Sequence, residues 1–172
     1  MIMKTTVLSC LLLFSTSLLA QKGTVKEAFL EKWENSSAYL WEVAEAMPED
    51  FYDFKPTERE MSFKEQLLHI KGNMDWLSTT YFSEETYKKE TVVPAISKKE
   101  VLQLLNTAFK NSSERIQNTS EEELSQIVDF FAGPKSKLQI LNLLQDHVTH
   151  HRGQLLVYLN LKGIAPPKYV GW

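Results

Sequence analysis

Cysteine is almost missing from this chain: Cys10 is its only one. Glycine and proline are scarce as well, six of each in 172 residues, and most prolines stand at apparent boundaries (Pro48, Pro56, Pro94, Pro134, Pro166, Pro167). Long uninterrupted segments follow from that scarcity, which favours helices over a turn-rich β fold. There is no excess of positive charge either. The net charge is -3, the pI lies near 5.8, and the lysines are interspersed with glutamates. No basic stripe exists to neutralise phosphates, so nucleic acid is excluded as a partner. Repeats and low-complexity stretches are absent, and the length suits one sizeable core rather than two.

The first twenty residues differ from the rest. Lys4 is their only charge, an apolar run follows from Val7 to Phe14, and Ser-Thr-Ser-Leu-Leu-Ala closes the stretch. This is the pattern of a secretory signal peptide over residues 1–20, cleaved after Ala20 so that the mature domain, 21–172, begins at Gln21. The apolar run is far short of the roughly 20 residues that span a bilayer, which argues against a membrane anchor. Val7-Leu8-Ser9-Cys10 loosely resembles a lipidation box, but too little apolar sequence precedes the cysteine. With Cys10 removed, neither a disulfide nor a catalytic thiol is available to the mature chain. The expected location is periplasmic or secreted.

Four amphipathic helices are legible. Phe29, Trp33, Leu40, Val43 and Ala44 recur at helical spacing between Val25 and Met47, and Pro48 ends that pattern. An extended segment is expected over Phe51–Pro56. Ser62 with Glu65, and Ser97 with Glu100, have the spacing of capping boxes and open the second and third helices. The third fades near Asn118, and residues 121–137, with Ile127, Phe130 and Phe131, are expected to form an irregular loop packed by its own aromatics. The last helix runs from about Leu138 to Leu161 and stops at Lys162-Gly163. An all-α four-helix bundle is the implied fold. Up-down-up-down is its simplest topology, although connections of about fifteen residues leave a crossover open.

Of four histidines, three lie in Asp146-His-Val-Thr-His-His-Arg152. At about 100° per residue, with His147 at zero, Ile140, Leu144, Leu155 and Tyr158 fall between about 20° and 80°. His151 falls at about 40°, inside that apolar stripe, and His147 at its edge. The i, i+4 pair is placed to share an ion. Hydrogen-bonded core histidines, or partly exposed ones at a helix end, would satisfy the same spacing. His69, on the second helix, sits at the boundary of its stripe, but a bundle-core site needs a ligand from a facing helix.

Three segments together resemble the DinB/YfiT-like family of four-helix bundles: Glu65-Gln-Leu-Leu-His-Ile70, His147-x-x-x-His-Arg-Gly-Gln154 and Gly163-Ile-Ala-Pro-Pro-Lys-Tyr169. The resemblance covers about Phe29 to Tyr169. It implies one divalent metal ion on His69, His147 and His151, helices joined with crossover connections, and homodimers as a common assembly. Zn²⁺ or Ni²⁺ fits three imidazoles best, with Mn²⁺ and Fe²⁺ as further candidates. Related enzymes include metal-dependent thiol transferases and a mycothiol-dependent isomerase, a cytosolic chemistry at odds with an export signal.

Two functions follow as expectations: a metal-dependent hydrolase or transferase acting on a small molecule, or a non-catalytic metal- or ligand-binding bundle. No acid or base is marked by the sequence. Glu65, Asn73 and Asp146 neighbour the histidines as solvated or supporting groups, Gln154 is expected to face the site, and Arg152 to point away from it. Trp33, Trp41 and Trp76 are expected in the core or in pocket walls, and Trp172 as a free tail or a pocket cover.

Overall fold

The structure, a computed structural model, describes residues 23–89 and 96–171; the expected signal peptide with Cys10, Pro94 and Trp172 lie outside them. Helix α1 spans Val25–Ala46, α2 Phe63–Phe82, α3 Lys98–Asn118 and α4 Lys137–Leu161. All four open in the same way. Thr24, Ser62, Ser97 and Ser136 each accept a hydrogen bond from the backbone N–H three residues on, and the side chains there, Glu27, Glu65, Glu100 and Gln139, accept one in turn from the cap N–H. Each box satisfies two donors that a helix start leaves without partners. No helix of the described residues is long and apolar enough to cross a membrane.

The ends are equally local. Met47, before Pro48, leaves helical geometry at ψ 122°. α4 closes with Gly163 at φ 70°, donating to Asn160 O at 3.0 Å while Ile164 N donates to Leu159 O at 2.9 Å. That is a Schellman motif, whose left-handed position favours glycine. Gly72, by contrast, interrupts the middle of α2 without a positive φ, at a cost of about 1 kcal/mol relative to alanine.

The buried stripes match the sequence periodicity: Trp33, Leu40 and Val43 meet Leu67, Ile70, Met74, Leu77, Ile116, Leu144, Val148 and Leu155 in one core. Trp33 donates its indole N–H to Phe109 O at 3.3 Å, so its polar atom is satisfied inside that core. Trp41 is not a core residue; it is 42% exposed.

Two connections depart from expectation. Phe51–Pro56 is not extended: Glu49–Phe51 is a 3-10 turn, and Tyr52 continues in helical geometry with its hydroxyl on Ala44 O at 2.9 Å. Residues 121–137 hold a 3-10 turn, Glu123–Ser125, and a two-stranded hairpin in which β1 (Ile127–Val128) pairs antiparallel with β2 (Lys135–Ser136). Phe130 and Phe131 pack on each other at 4.4 Å, but also on Trp76 of α2 at 6.0 and 6.2 Å.

α1 packs against α3 and α4, and α2 against the same two helices, so α1 and α2 lie diagonally across the bundle. Directions follow from individual contacts. Lys26 at the start of α1 reaches Thr119 O just past the end of α3 at 2.7 Å, which makes that pair antiparallel. Ser36 and Tyr39 of α1 meet Gln145 and Arg152 of α4, which makes that pair parallel. Arg115 of α3 bonds Ser78 of α2, so these run parallel too, whereas Tyr158 of α4 meets Gln66 near the start of α2. The order is up-down-down-up, not the simplest alternation. The connection from Ser83 to Ser97 joins two parallel neighbours, so its described ends stand at opposite ends of the bundle. Its fifteen residues reach about 50 Å when extended, against about 30 Å for a twenty-residue helix.

Candidate metal centre

Because α2 and α4 run antiparallel side by side, His69, in the first half of α2, comes opposite the middle of α4. One ring nitrogen from each of His69, His147 and His151 lies within 4.8 Å of the others. The Nε2 atoms of His69 and His147 are 3.0 Å apart. The ring centroids stand 4.5 to 4.8 Å from one another. His69 is exposed, His147 half-buried and His151 buried, so the cluster sits at the edge of the core with one side toward solvent. His150 is exposed and lies outside the group.

The protonation of His151 can be derived from its neighbours. Tyr158 donates its hydroxyl proton to Met61 O at 2.9 Å, leaving an acceptor that faces Gln66 Nε2 at 3.4 Å. The amide of Gln66 is thereby oriented with Oε1 toward His151 Nδ1, at 2.6 Å. Gln154 Oε1 approaches the same nitrogen at 2.8 Å. Amide oxygens only accept, so Nδ1 carries the proton and Nε2 keeps its lone pair. Hydrogen bonds of this kind set the tautomer and ring angle of a ligating histidine. Gln154 was legible in the sequence as an inward-facing neighbour. Gln66 was not: it precedes His69 by three residues, but its role depends on Tyr158, which is 92 residues away.

Electrostatics hold the cluster neutral. Burial, and then the neighbouring imidazoles, push His147 down to about 3. Burial and His69 push His151 down to about 4, against the opposing effect of Gln154. The partial desolvation of the His69 ring, which keeps one side in solvent, lowers its pKa as well. Three neutral imidazoles that repel any added proton are the donor set a divalent cation requires. The fit is also geometric, since two nitrogens about 2.0–2.1 Å from a shared tetrahedral ion lie about 3.4 Å apart, within a few tenths of an ångström of the His69–His147 separation. The group could hold a metal ion.

The other residues singled out from sequence divide clearly. Glu65 closes the α2 capping box and pairs with Lys55 at 3.0 Å, contacts that lower its pKa; it is exposed and committed to the helix start. Asn73 Oδ1 and His147 Nδ1 are both buried without hydrogen-bond partners among the described residues. Asp146 is exposed. Arg152 does point away: its guanidinium stacks over the Tyr39 ring at 4.7 Å, and burial lowers its pKa.

A crossover bundle with this histidine set can be compared with known proteins. The family model described as "DinB family" matches residues 17–171. The chain belongs to the DinB family. Bacillus subtilis (strain 168) YjoA is similar at 28% identity over 130 residues, covering 71% of this chain and 80% of YjoA. The crystal structure of YjoA superposes with a TM-score of 0.68 at 21% identity, covering 83% of this chain and 96% of that one. A DinB-like protein from Bacillus cereus ATCC 10987 gives a TM-score of 0.70 at 22% identity over 84% and 97% of the two chains. At these identities the structures establish the DinB bundle and nothing finer.

Proposed function

We propose that this DinB protein holds one divalent ion, Zn²⁺ or Ni²⁺, on His69, His147 and His151 and is an exported metal-dependent hydrolase or transferase of a small molecule. The observation that carries the reading is the state of His151. Two amide oxygens occupy its Nδ1, so its only free lone pair belongs to the nitrogen left for a shared ion. When bound, a divalent ion on three neutral ligands supplies Lewis acidity and open coordination positions. The chain's own part is to keep the imidazoles neutral, to orient His151 through Gln66 and Gln154, and to leave the His69 side accessible. Export rests on the leader sequence alone.

A non-catalytic role, carrying a metal or a small ligand, is favoured by one observation: Glu65, the carboxylate one turn before His69, is committed to the helix cap and to Lys55. Elemental analysis of the mature protein beside a His147→Ala, His151→Ala double variant tests the centre. Near-stoichiometric metal lost in the variant is expected; a wild type that stays empty when supplied with Zn²⁺ or Ni²⁺ refutes it. A screen of esters, amides and thiol adducts with and without chelator then separates the two roles, since only an enzyme shows a metal-dependent rate.

A further inference from the structure

A trough of about 750 Å³ lies between α2 and α3. Leu68, His69 and Trp76 line it from α2, Leu104 and Asn111 from α3, and Tyr87 from the segment that follows α2. Gly72 is on its floor, three residues beyond His69 and four before Trp76. A Cβ built on Gly72 meets no atom within 4 Å, so the protein's own packing does not require glycine there. Gly153 has the same clearance on α4 but does not line the trough. A helix-breaking residue kept in a cavity floor allows a ligand to approach the backbone closely.

Trp76 adds a flat wall. Phe130 stacks beside its indole at 18° and 6.0 Å, with Phe131 at 6.2 Å and Tyr81 at 6.5 Å, so the ring is braced from outside the trough. Charge adds a direction. Lys71 pairs with Asp75 at 2.8 Å and Arg115 with Glu85 at 2.7 Å, which uses both carboxylates of the described lining. Lys88 and Lys89, at the same rim, have no carboxylate partner among the described residues.

We propose that this trough binds a flat aromatic carboxylate, its ring over Gly72 and against Trp76, its charge toward Lys88 and Lys89, and one edge beside His69. Calling that ligand a substrate rests on the metal-centre reading above; binding itself needs no metal. The test is calorimetric titration of the mature protein, metal-free and zinc-loaded, with naphthalene-2-carboxylate, naphthalene-2-carboxamide and 2-naphthylmethylammonium. The carboxylate is expected to bind metal-free protein about tenfold more tightly than the ammonium at low salt. Gly72→Leu, which fills the floor, is expected to weaken it by about tenfold or more while zinc content is kept. Gly153→Leu is the control for a bulky residue on a helix and leaves the affinity unchanged. Lys88→Glu with Lys89→Glu, both at exposed positions, is expected to reverse the charge preference whether or not Gly72→Leu folds. No carboxylate binding, equal affinity for anion and cation, or binding unaffected by Gly72→Leu overturns the proposal. A wild type that binds the carboxylate but takes up no zinc refutes the metal centre and leaves the trough standing.

Discussion

His151 depends on a side chain that the sequence does not mark. Gln66→Ala removes the acceptor that orients its ring and leaves Tyr158 without its amide partner, so metal affinity is expected to fall by about 10–100-fold with the fold retained. Competition against a chelator of known strength measures that loss. The lowered pKa values give a second prediction. An unfolded chain binds protons on these histidines as pH falls through about 6.5, whereas folded His151 resists to about 4 and His147 to about 3. The unfolded state therefore binds more protons in that window, and the metal-free protein loses stability as pH falls from about 6.5 toward 4. Thermal melts at several pH values should show this slope, flattened in a His147→Gln, His151→Gln variant. The members of the histidine cluster were legible, the i, i+4 pair from its spacing and His69 by resemblance. His69 lies beside the apolar stripe rather than in it, so periodicity could place it only at a boundary. The supporting amide was out of reach because its partner is fixed by how two helices meet, not by neighbours in sequence.

Among the elements, the helices were read almost to the residue because their starts are local chemistry. A cap and the residue three positions on carry the whole signal at Ser62 and Ser97, and the same signal operates at Thr24 and Ser136. Ser97→Ala should cost about 0.5–2 kcal/mol in urea unfolding. The two mid- and end-helix glycines should respond in opposite directions. Gly72→Ala is expected to stabilise by about 1 kcal/mol, since helical geometry and open space both accept a Cβ. Gly163→Ala is expected to destabilise by about 1–2 kcal/mol, because φ 70° strains it. The segments misread were those held by tertiary contacts. Tyr52 turns inward across the break at Pro48 to reach Ala44 O, eight residues back, and the hairpin aromatics settle on Trp76, which no local window contains.

For the whole molecule, the core is continuous through all four helices and does not use the histidines. Chelation should therefore leave the helical circular dichroism unchanged, while zinc at about 100 times its Kd adds about 2.7 kcal/mol to the unfolding free energy. Loss of helix on chelation would make the ion a structural staple and remove the catalytic reading. Helix order was the part of the architecture that sequence left open, since connection lengths alone permit both topologies. The order observed has a kinetic consequence. α1 finds its partners in α3 and α4, with Lys26 and Ser36 contacting residues 93 and 109 positions away. Such separations raise the contact order of an all-helical chain. α3 covers only part of the apolar stripe of α1, and the rest stays open until the last helix exists, so a chain still on the ribosome cannot finish folding from its beginning.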